Sequence, residues 1–283
     1  FGEIMGRVEP SKYYRFRQSL PGKLEFTFGG AEANVAASLA FLGRPSAFVT
    51  ALPKHNIADA CVGQLRNVGV DTSKIVRTDE GRFGLYFVER GANQRPSNVI
   101  YDREYSAVSL CGPRDYSWDG IFSDASWFHV TGITPAISKN AADAALEAVK
   151  MAQGKGMTVS SDLNFRKKLW KWERGTAPRE LARKTMAKLL PYVDVLIGNE
   201  EDADDVLGIQ AGSTDVTSGK LQISKYPDVA RKITELYPNL RYVAITLRES
   251  VSASHNNWGG MLYECETDTP HFAVIRGDTY ARY

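Results

Sequence analysis

The chain has 283 residues, enough to bury a substantial core as one large domain or two modest ones. Its composition is ordinary for a globular protein, with 43% hydrophobic and 24% charged residues. Lys and Arg number 35 against 33 Asp and Glu, a net charge of +2, and no long basic run exists; nucleic acid and charged membrane surfaces are poor candidate partners.

The three cysteines, Cys61, Cys111 and Cys265, are far apart and show no Cys-x-x-Cys or Cys/His spacing. Free thiols in a reducing cytoplasm are expected, not a disulfide framework or a zinc site. No stretch approaches the run of about 18 apolar residues that a membrane helix needs. No signal peptide is visible. The chain begins at Phe1 and stops at "RGDTYARY" with no closing helix. A piece of a longer protein is therefore expected.

In chain order, "YYRFRQSLPGKLEFTFGG" is expected to add some strand. "FGGAEANVAASLAFLG" (Phe28 to Gly43) opens an Ala-rich helix on a glycine pair. The pair could cradle a phosphate, admit another ligand, or let two elements pack closely. Val35, Leu39 and Leu42 recur at i, i+4 and i+7, which predicts that this edge of the helix faces the core. "SAFVTAL" predicts a strand and "NIADACVGQLRNVG" a helix stopping at Gly69. "RFGLYFVERGANQRPSNVIYDR" (Arg82 to Arg103) reads as a hairpin, two β-rich runs around a Gly/Asn/Pro turn.

The pattern then alternates. "SWFHVTGI" predicts a strand, "SKNAADAALEAVKMAQGKG" a helix, "MTVSSDL" a strand and "PRELARKTMAKLLPY" a helix. "VDVLIGN" predicts a strand, "EEDADDVLG" a short helix, "YPDVARKITELYP" a helix and "RYVAITL" a strand. Strands alternating with helical periods indicate βαβ units on a parallel sheet. Several strands are almost continuously apolar, as when both faces are covered. Gly208 to Ser224 is a polar loop long enough to be functional. The expected fold is thus α/β with a small β-rich flap.

Ligands of open parallel sheets bind beyond the carboxyl ends of the strands. After "MTVSSDL", Asp162, Asn164 and Arg166 alternate, so an extended exit would put all three on one side. They suit an anion bearing hydroxyls, or form a plain salt bridge. After "VDVLIGN", Asn199 and Asp202 open a helix. They either cap it or organise a hydrated Mg²⁺ beside phosphates. Thr246, Arg248 and His255 follow the last strand as candidate nucleotide contacts, although His255 reads better as a surface residue. Tyr101 and Arg103 share a strand face in the hairpin, with Tyr86 on the neighbouring run. The four histidines lack metal-ligand spacing, and neither a Gly-x-Ser-x-Gly nor a Walker A motif occurs.

Together "FGGAEANVAASLAFLG", "GLYFVERGANQRPSNVIYDR", "WFHVTGITPAIS", "SSDLNFRKKLW", "VDVLIGNEEDA" and "ITLRESVSASHNNW" closely resemble the ribokinase-like (PfkB) sugar kinases. The branch they resemble is that of the 2-keto-3-deoxygluconate kinases. The resemblance covers nearly the whole chain. It implies a three-layer α/β/α sandwich on a mostly parallel sheet with a β-rich lid, drawn from about 10–28 and 82–105. Residues 1–283 would be one kinase domain, incomplete at its C-terminal side.

The resemblance further implies ATP, Mg²⁺ and phosphorylation of a primary hydroxyl of a sugar acid. Gly30, Ala31 and Asn34 would touch sugar hydroxyls. Tyr86, Tyr101 and Arg103 would reach the sugar from the lid, and Arg166 from the main domain. Asn164 and Arg166 would lie near the phosphates, and Thr246 and Arg248 beside ATP. Asn199 and Asp202 fall where the family keeps Asn-x-x-Glu, with the shorter Asp as the metal-side acid. A carboxylate calls for guanidinium forks, with Arg103 first and Arg166 second, or Arg166 on the γ-phosphate instead.

The family's Gly-x-Gly-Asp segment, which holds the anion hole and general base, does not occur in these 283 residues. The base is expected beyond Tyr283, and the chain as given is expected to be nearly inactive. The glycine pair is expected to form the floor of the sugar pocket. Alternatives are a kinase for a fructose- or ribose-type sugar and a non-catalytic sugar-acid sensor. A homodimer through the lid edges is also expected.

Overall fold

The computed structural model describes residues 1–209, 225–273 and 281–282. The strands are β1 (Met5–Glu9), β2 (Glu25–Gly29), β3 (Ala51–Pro53), β4 (Val76–Thr78), β5 (Leu85–Glu89), β6 (Asn98–Asp102) and β7 (Trp127–Thr131). They continue with β8 (Thr158–Asp162), β9 (Val195–Gly198), β10 (Tyr242–Ser252), β11 (His255–Glu264), β12 (Thr269–Phe272) and β13 (Ala281–Arg282). The longer helices are α1 (Ala31–Phe41), α2 (Asn56–Asn67), α3 (Lys139–Gly154), α4 (Pro178–Leu189) and α5 (Tyr226–Leu236).

The main sheet has the order β12-β11-β10-β9-β8-β7, with β13 on β11. Its centre, β7 to β10, is parallel, and its edge from β10 through β12 is antiparallel. The expected α/β class holds. Val130, Val159 and Leu196 are buried in the parallel strands, as their apolar runs require. The signals that shape α3 are local. Ser138 caps it by accepting from the Ala141 N–H at 3.0 Å, a row of alanines faces inward, and Gly156 follows at φ +72°.

The lid is a separate sheet of order β2-β1-β5-β6. The predicted hairpin is β5–β6. The lid also takes in β1, whose alternation is masked in "MGRVE" by a glycine opposite the arginine. "SAFVTAL" yields only the short β3, paired with β4 outside the main sheet. The segment before it is held otherwise: Val49 O accepts from the Gly2 N–H, and Phe48 N–H donates to Asp71 O.

The predicted facing of α1 is corrected. Ala33, Ala36 and Glu32 are its buried residues, while Val35, Leu39 and Leu42 are 36%, 41% and 75% exposed. The alanine side lets the helix sit close on Phe48 and on Ala58, Cys61 and Leu65 of α2. Of the predicted polar loop, residues 210–224 lie outside the described residues.

Candidate active site

Three side chains form a row on the inner face of the lid. Arg7 of β1 lies opposite Tyr86 of β5, and Tyr86 opposite Tyr101 of β6. Arg103, just past β6, stands 5.6 Å from the centroid of the Tyr101 ring. The structure therefore brings the predicted Tyr86, Tyr101 and Arg103 together. Arg103 is buried, and its guanidinium donates to the equally buried Glu3 carboxylate. Further out, Glu9 accepts from Arg7 Nη2 at 2.7 Å and from Arg90 Nε at 2.9 Å, and also from Arg90 Nη2.

The glycine pair lies beneath this row, in close contact with its neighbours. A Cβ on Gly30 would stand 2.1 Å from the Glu3 carbonyl oxygen, and one on Gly29 would stand 2.6 Å from the Tyr86 hydroxyl. The missing side chains let the chain pack against β1 and the lid tyrosine. Gly30 itself is extended at φ −171°, which any residue adopts. Ala31 and Asn34 open α1 beside it, half-buried and exposed respectively.

The opposite wall is built where β8 and β9 end. The expected extended exit after β8 is corrected too. Asn164 takes φ +35°, and its N–H turns back to Asp162 Oδ1 at 3.1 Å. This Asx-type turn outcompetes the extended form. Phe165 N–H then donates to Asp202 Oδ1 at 2.9 Å. Asp202 N–H donates to Asn199 Oδ1 at 2.8 Å, and Asn199 N–H to Asp202 Oδ2 at 3.3 Å. Asn199 and Asp202 thus form a reciprocal helix cap that also ties the two strand exits together.

Burial raises the Asp162 carboxyl to about 6, and the neighbouring Asp202 adds to the effect. Burial likewise raises Asp202, opposed by the N–H groups of Phe165 and Asn199. Arg166 is exposed, with Nη1 donating to Phe165 O at 3.1 Å. Two residues on, Lys168 Nζ reaches across to the lid carbonyl of Val99 at 3.1 Å.

Thr246 and Arg248 do not follow a strand, as expected, but lie within β10, which runs on to Ser252. Thr246 Oγ1 is 3.4 Å from Gly198 O, level with the end of β9. Arg248 points along the hairpin, bonded to Asn256 Oδ1 at 3.0 Å and stacked 5.4 Å from the Trp258 ring centroid. His255 is exposed at the start of β11. The hairpin turn meets the lid tip: Ala253 N–H donates to Asn93 O at 2.8 Å, and Asn93 N–H to Ser254 Oγ at 3.3 Å.

Four residues were missed from sequence: Glu3, Arg7, Glu9 and Glu32. Glu32 Oε1 accepts from Thr131 N–H, Thr131 Oγ1 and Thr134 Oγ1 at 3.1, 2.8 and 2.7 Å, which pins α1 to the exit of β7. Its only sequence signal is an acid inside an apolar helix start. Among the described residues, no three His, Cys, Asp or Glu side chains gather to hold a metal, and no helix is long and apolar enough to cross a membrane.

Polar groups at the ends of β8 and β9 and on β10, under a tyrosine- and arginine-lined lid, match the place where open α/β sheets bind small molecules. The chain belongs to the pfkB family of carbohydrate kinases, whose pattern matches residues 1–229. It is an enzyme of the kind that transfers a phosphoryl group to a sugar.

The chain is similar to the crystal structure of 2-dehydro-3-deoxygluconokinase from Thermotoga maritima, with 43% identity and a TM-score of 0.87 over 100% of this chain and 78% of that one. It is 33% identical to the 2-dehydro-3-deoxygalactonokinase of Haloferax volcanii, over 99% of this chain and 80% of that protein. It is also 34% identical to the 2-dehydro-3-deoxygluconokinase of Bacillus subtilis, over 60% of this chain and 52% of that protein.

Proposed function

We propose that this chain serves the ATP-dependent phosphorylation of a sugar acid. The first choice is 2-keto-3-deoxygluconate, a synonym of 2-dehydro-3-deoxygluconate, converted to its 6-phosphate. The observation that carries the reading is the lid's inner face. It aligns Tyr86 and Tyr101 with Arg7 and Arg103, and Arg166 is exposed at the exit of β8. Hydroxyl donors and acceptors suit a polyol, and guanidinium forks suit its carboxylate. The relatives named for 2-dehydro-3-deoxy sugar acids support the choice.

In this reading Gly30, Ala31 and Asn34 border the sugar, and Tyr86, Tyr101 and Arg103 cover it. Asn164 and Arg166 face the phosphates, and Asn199, Thr246 and Arg248 flank the nucleotide. The Asp202 oxygens are already engaged by backbone N–H groups. This donor set suits a magnesium ion that arrives with the nucleotide phosphates and keeps its waters, with Asp202 as the acid beside it. Such an ion would neutralise charge on the transferring phosphoryl group. No Gly-x-Gly-Asp segment occurs among the 283 residues, so no residue among them is proposed as the general base. A homodimer through the lid edges β2 and β6 completes the proposal, and sedimentation of the chain tests it.

Binding gives the test of substrate class. In titration calorimetry, 2-keto-3-deoxygluconate is expected to bind at least about tenfold more tightly than fructose or ribose, because a site built for a charged group rejects ligands that lack it. Tighter binding of fructose or ribose would overturn the sugar-acid reading. A preference for the acid without ADP formation, in a longer chain that carries the Gly-x-Gly-Asp segment, would favour a sensor.

A further inference from the structure

The lid meets the rest of the chain differently at its two ends. At its root, Phe28 and Leu85 pack on the core cluster that holds Phe48 and Leu52. At its tip, the turn between β5 and β6 is closed on itself. Ala92 and Arg95 exchange backbone hydrogen bonds at 3.0 and 2.9 Å, and Ser97 Oγ accepts from the Gly91 N–H at 2.8 Å.

Two parts of the body reach across to the lid near this tip. The first is the turn of the β10–β11 hairpin. Ala253 N–H donates to Asn93 O at 2.8 Å, and Asn93 N–H donates to Ser254 Oγ at 3.3 Å. Gly91 is buried beside them and does not have a positive φ, so it is the space it leaves that counts. A Cβ on Gly91 would stand 2.9 Å from Ala253 Cβ, and 3.0 Å from both Arg95 O and Ser97 N. The hairpin turn therefore sits against the lid as closely as the lid's own loop does. The second part is Lys168, whose Nζ donates to Val99 O of β6 at 3.1 Å.

Both parts belong to segments that carry groups placed beside the nucleotide. Arg248 lies on β10, which leads into the hairpin turn, and is tied across the hairpin to Asn256 and the Trp258 ring. Arg166 precedes Lys168 by two positions. A ligand covered by a lid exchanges with solvent only when the lid parts from the body, and these are contacts that such parting must break.

We propose that Lys168 and the Ala253–Ser254 turn form a two-point clasp that holds the lid over the cleft, and that a nucleotide seated against Arg166 and Arg248 tightens it. Fixing those two segments favours the clasped state, and by linkage the clasped state favours the nucleotide. Lys168, Ala253 and Ser254 are positioning residues that act through the lid. The clasp stands on its own geometry; the coupling rests on the nucleotide placement proposed above and deepens it.

The test is hydrogen exchange read by mass spectrometry on the full chain, alone and with Mg·ADP, comparing lid amides of β1, β5 and β6 with body amides of β7 to β9. A253L places bulk where Gly91 leaves no room, and K168M removes the donor to Val99. Each is expected to speed lid exchange about 3–10-fold, the factor that an ordinary hydrogen bond is worth, with the body unchanged. K168R keeps a donor and is expected to return close to the parent. Mg·ADP is expected to slow lid exchange several-fold in the parent and less in A253L and K168M.

Parental lid exchange in both variants overturns the clasp. An equal rise in lid and body also overturns it, because that pattern marks general destabilisation. Should A253L fail to fold, K168M and K168R decide. If Mg·ADP binds in calorimetry but slows the lid equally in parent and variants, the coupling is overturned and the nucleotide placement stands. If Mg·ADP does not bind, the nucleotide placement and the coupling fall together, and the ligand-free comparison still decides the clasp.

Discussion

Glu32→Ala is expected to be among the most damaging single changes in α1. The Oε1 atom accepts three hydrogen bonds at 2.7–3.1 Å from Thr131 and Thr134, both buried. Removing it orphans the Thr131 N–H, a loss of about 1–3 kcal/mol. The two hydroxyls can turn elsewhere; Thr134 Oγ1 already lies 3.4 Å from Phe1 O. Each therefore loses nearer the ~0.5–1.5 kcal/mol of an ordinary bond. Against this, a carboxylate whose Oε2 is buried without a partner is itself unfavourable, so part of the loss is returned. The net is roughly 2–4 kcal/mol, a fall in Tm of about 5–15 °C for a chain of this size.

Urea unfolding followed by tryptophan fluorescence measures it directly. Glu32→Gln keeps the accepting oxygen but buries an amide N–H₂ where Oε2 has no partner, and should lose about 1–3 kcal/mol. Val35→Ala, on the exposed side, should stay within about 0.5 kcal/mol. A smaller loss in E32A than in V35A would refute the assignment of the buried face.

Two more outcomes follow from the cleft. Burial raises the Asp162 carboxyl to about 6 in the folded chain, above its ordinary 3.8, so folding favours its protonated form. That contribution is complete below the unfolded value and lost as pH rises through the folded one. D162N, which keeps an acceptor for the Asn164 N–H, should match the parent near pH 4 in its urea midpoint and exceed it above pH 6; a constant difference across that range would exclude the titration. Separately, a Cβ at Gly29 would stand 2.6 Å from the Tyr86 hydroxyl but 3.7 Å from the ring carbon that bears it. G29A should therefore destabilise the parent and be largely tolerated in Y86F. The coupling in a double-mutant cycle should be about 1–3 kcal/mol, and additive effects would show that the tyrosine does not occupy that space.

The chain showed its fold wherever the signal was local. The alternation after Trp127, the Ser138 cap, the Gly156 stop and the Arg82–Arg103 hairpin need only a few neighbours to be read. The facing of α1 did not, because Ala33 and Val35 are both apolar and the choice between them was made by α2. The exit of β8 was misjudged because a period-2 pattern is also compatible with a turn made by Asp162 and Asn164. The two sides of the site differ in the same way. Asn199 and Asp202 are three apart, so their cap was visible as an alternative. Glu3 and Arg103 are separated by 100 positions, and nothing short of the lid's closure joins them.

The carboxylates of the cleft share one property that bears on its ligand. Glu3 is held by Arg103, Glu9 by Arg90 and Arg7, and Glu32 by two threonines. Asp162 and Asp202 are held by backbone N–H groups at the strand exits. Each is engaged in joining a strand end, a helix or a lid strand to its neighbour. The cations are less fully spent: Arg166 and Lys168 are exposed and bonded only to carbonyls, and Arg7 and Arg103 each keep an Nε with no acceptor. A cleft whose acids are engaged and whose bases retain donors favours an anionic ligand over a neutral one. The two substrates of a sugar-acid kinase both meet that condition, ATP with its phosphates and the sugar with its carboxylate. A neutral hexose would meet it only on the nucleotide side and would leave the cation on the lid unanswered.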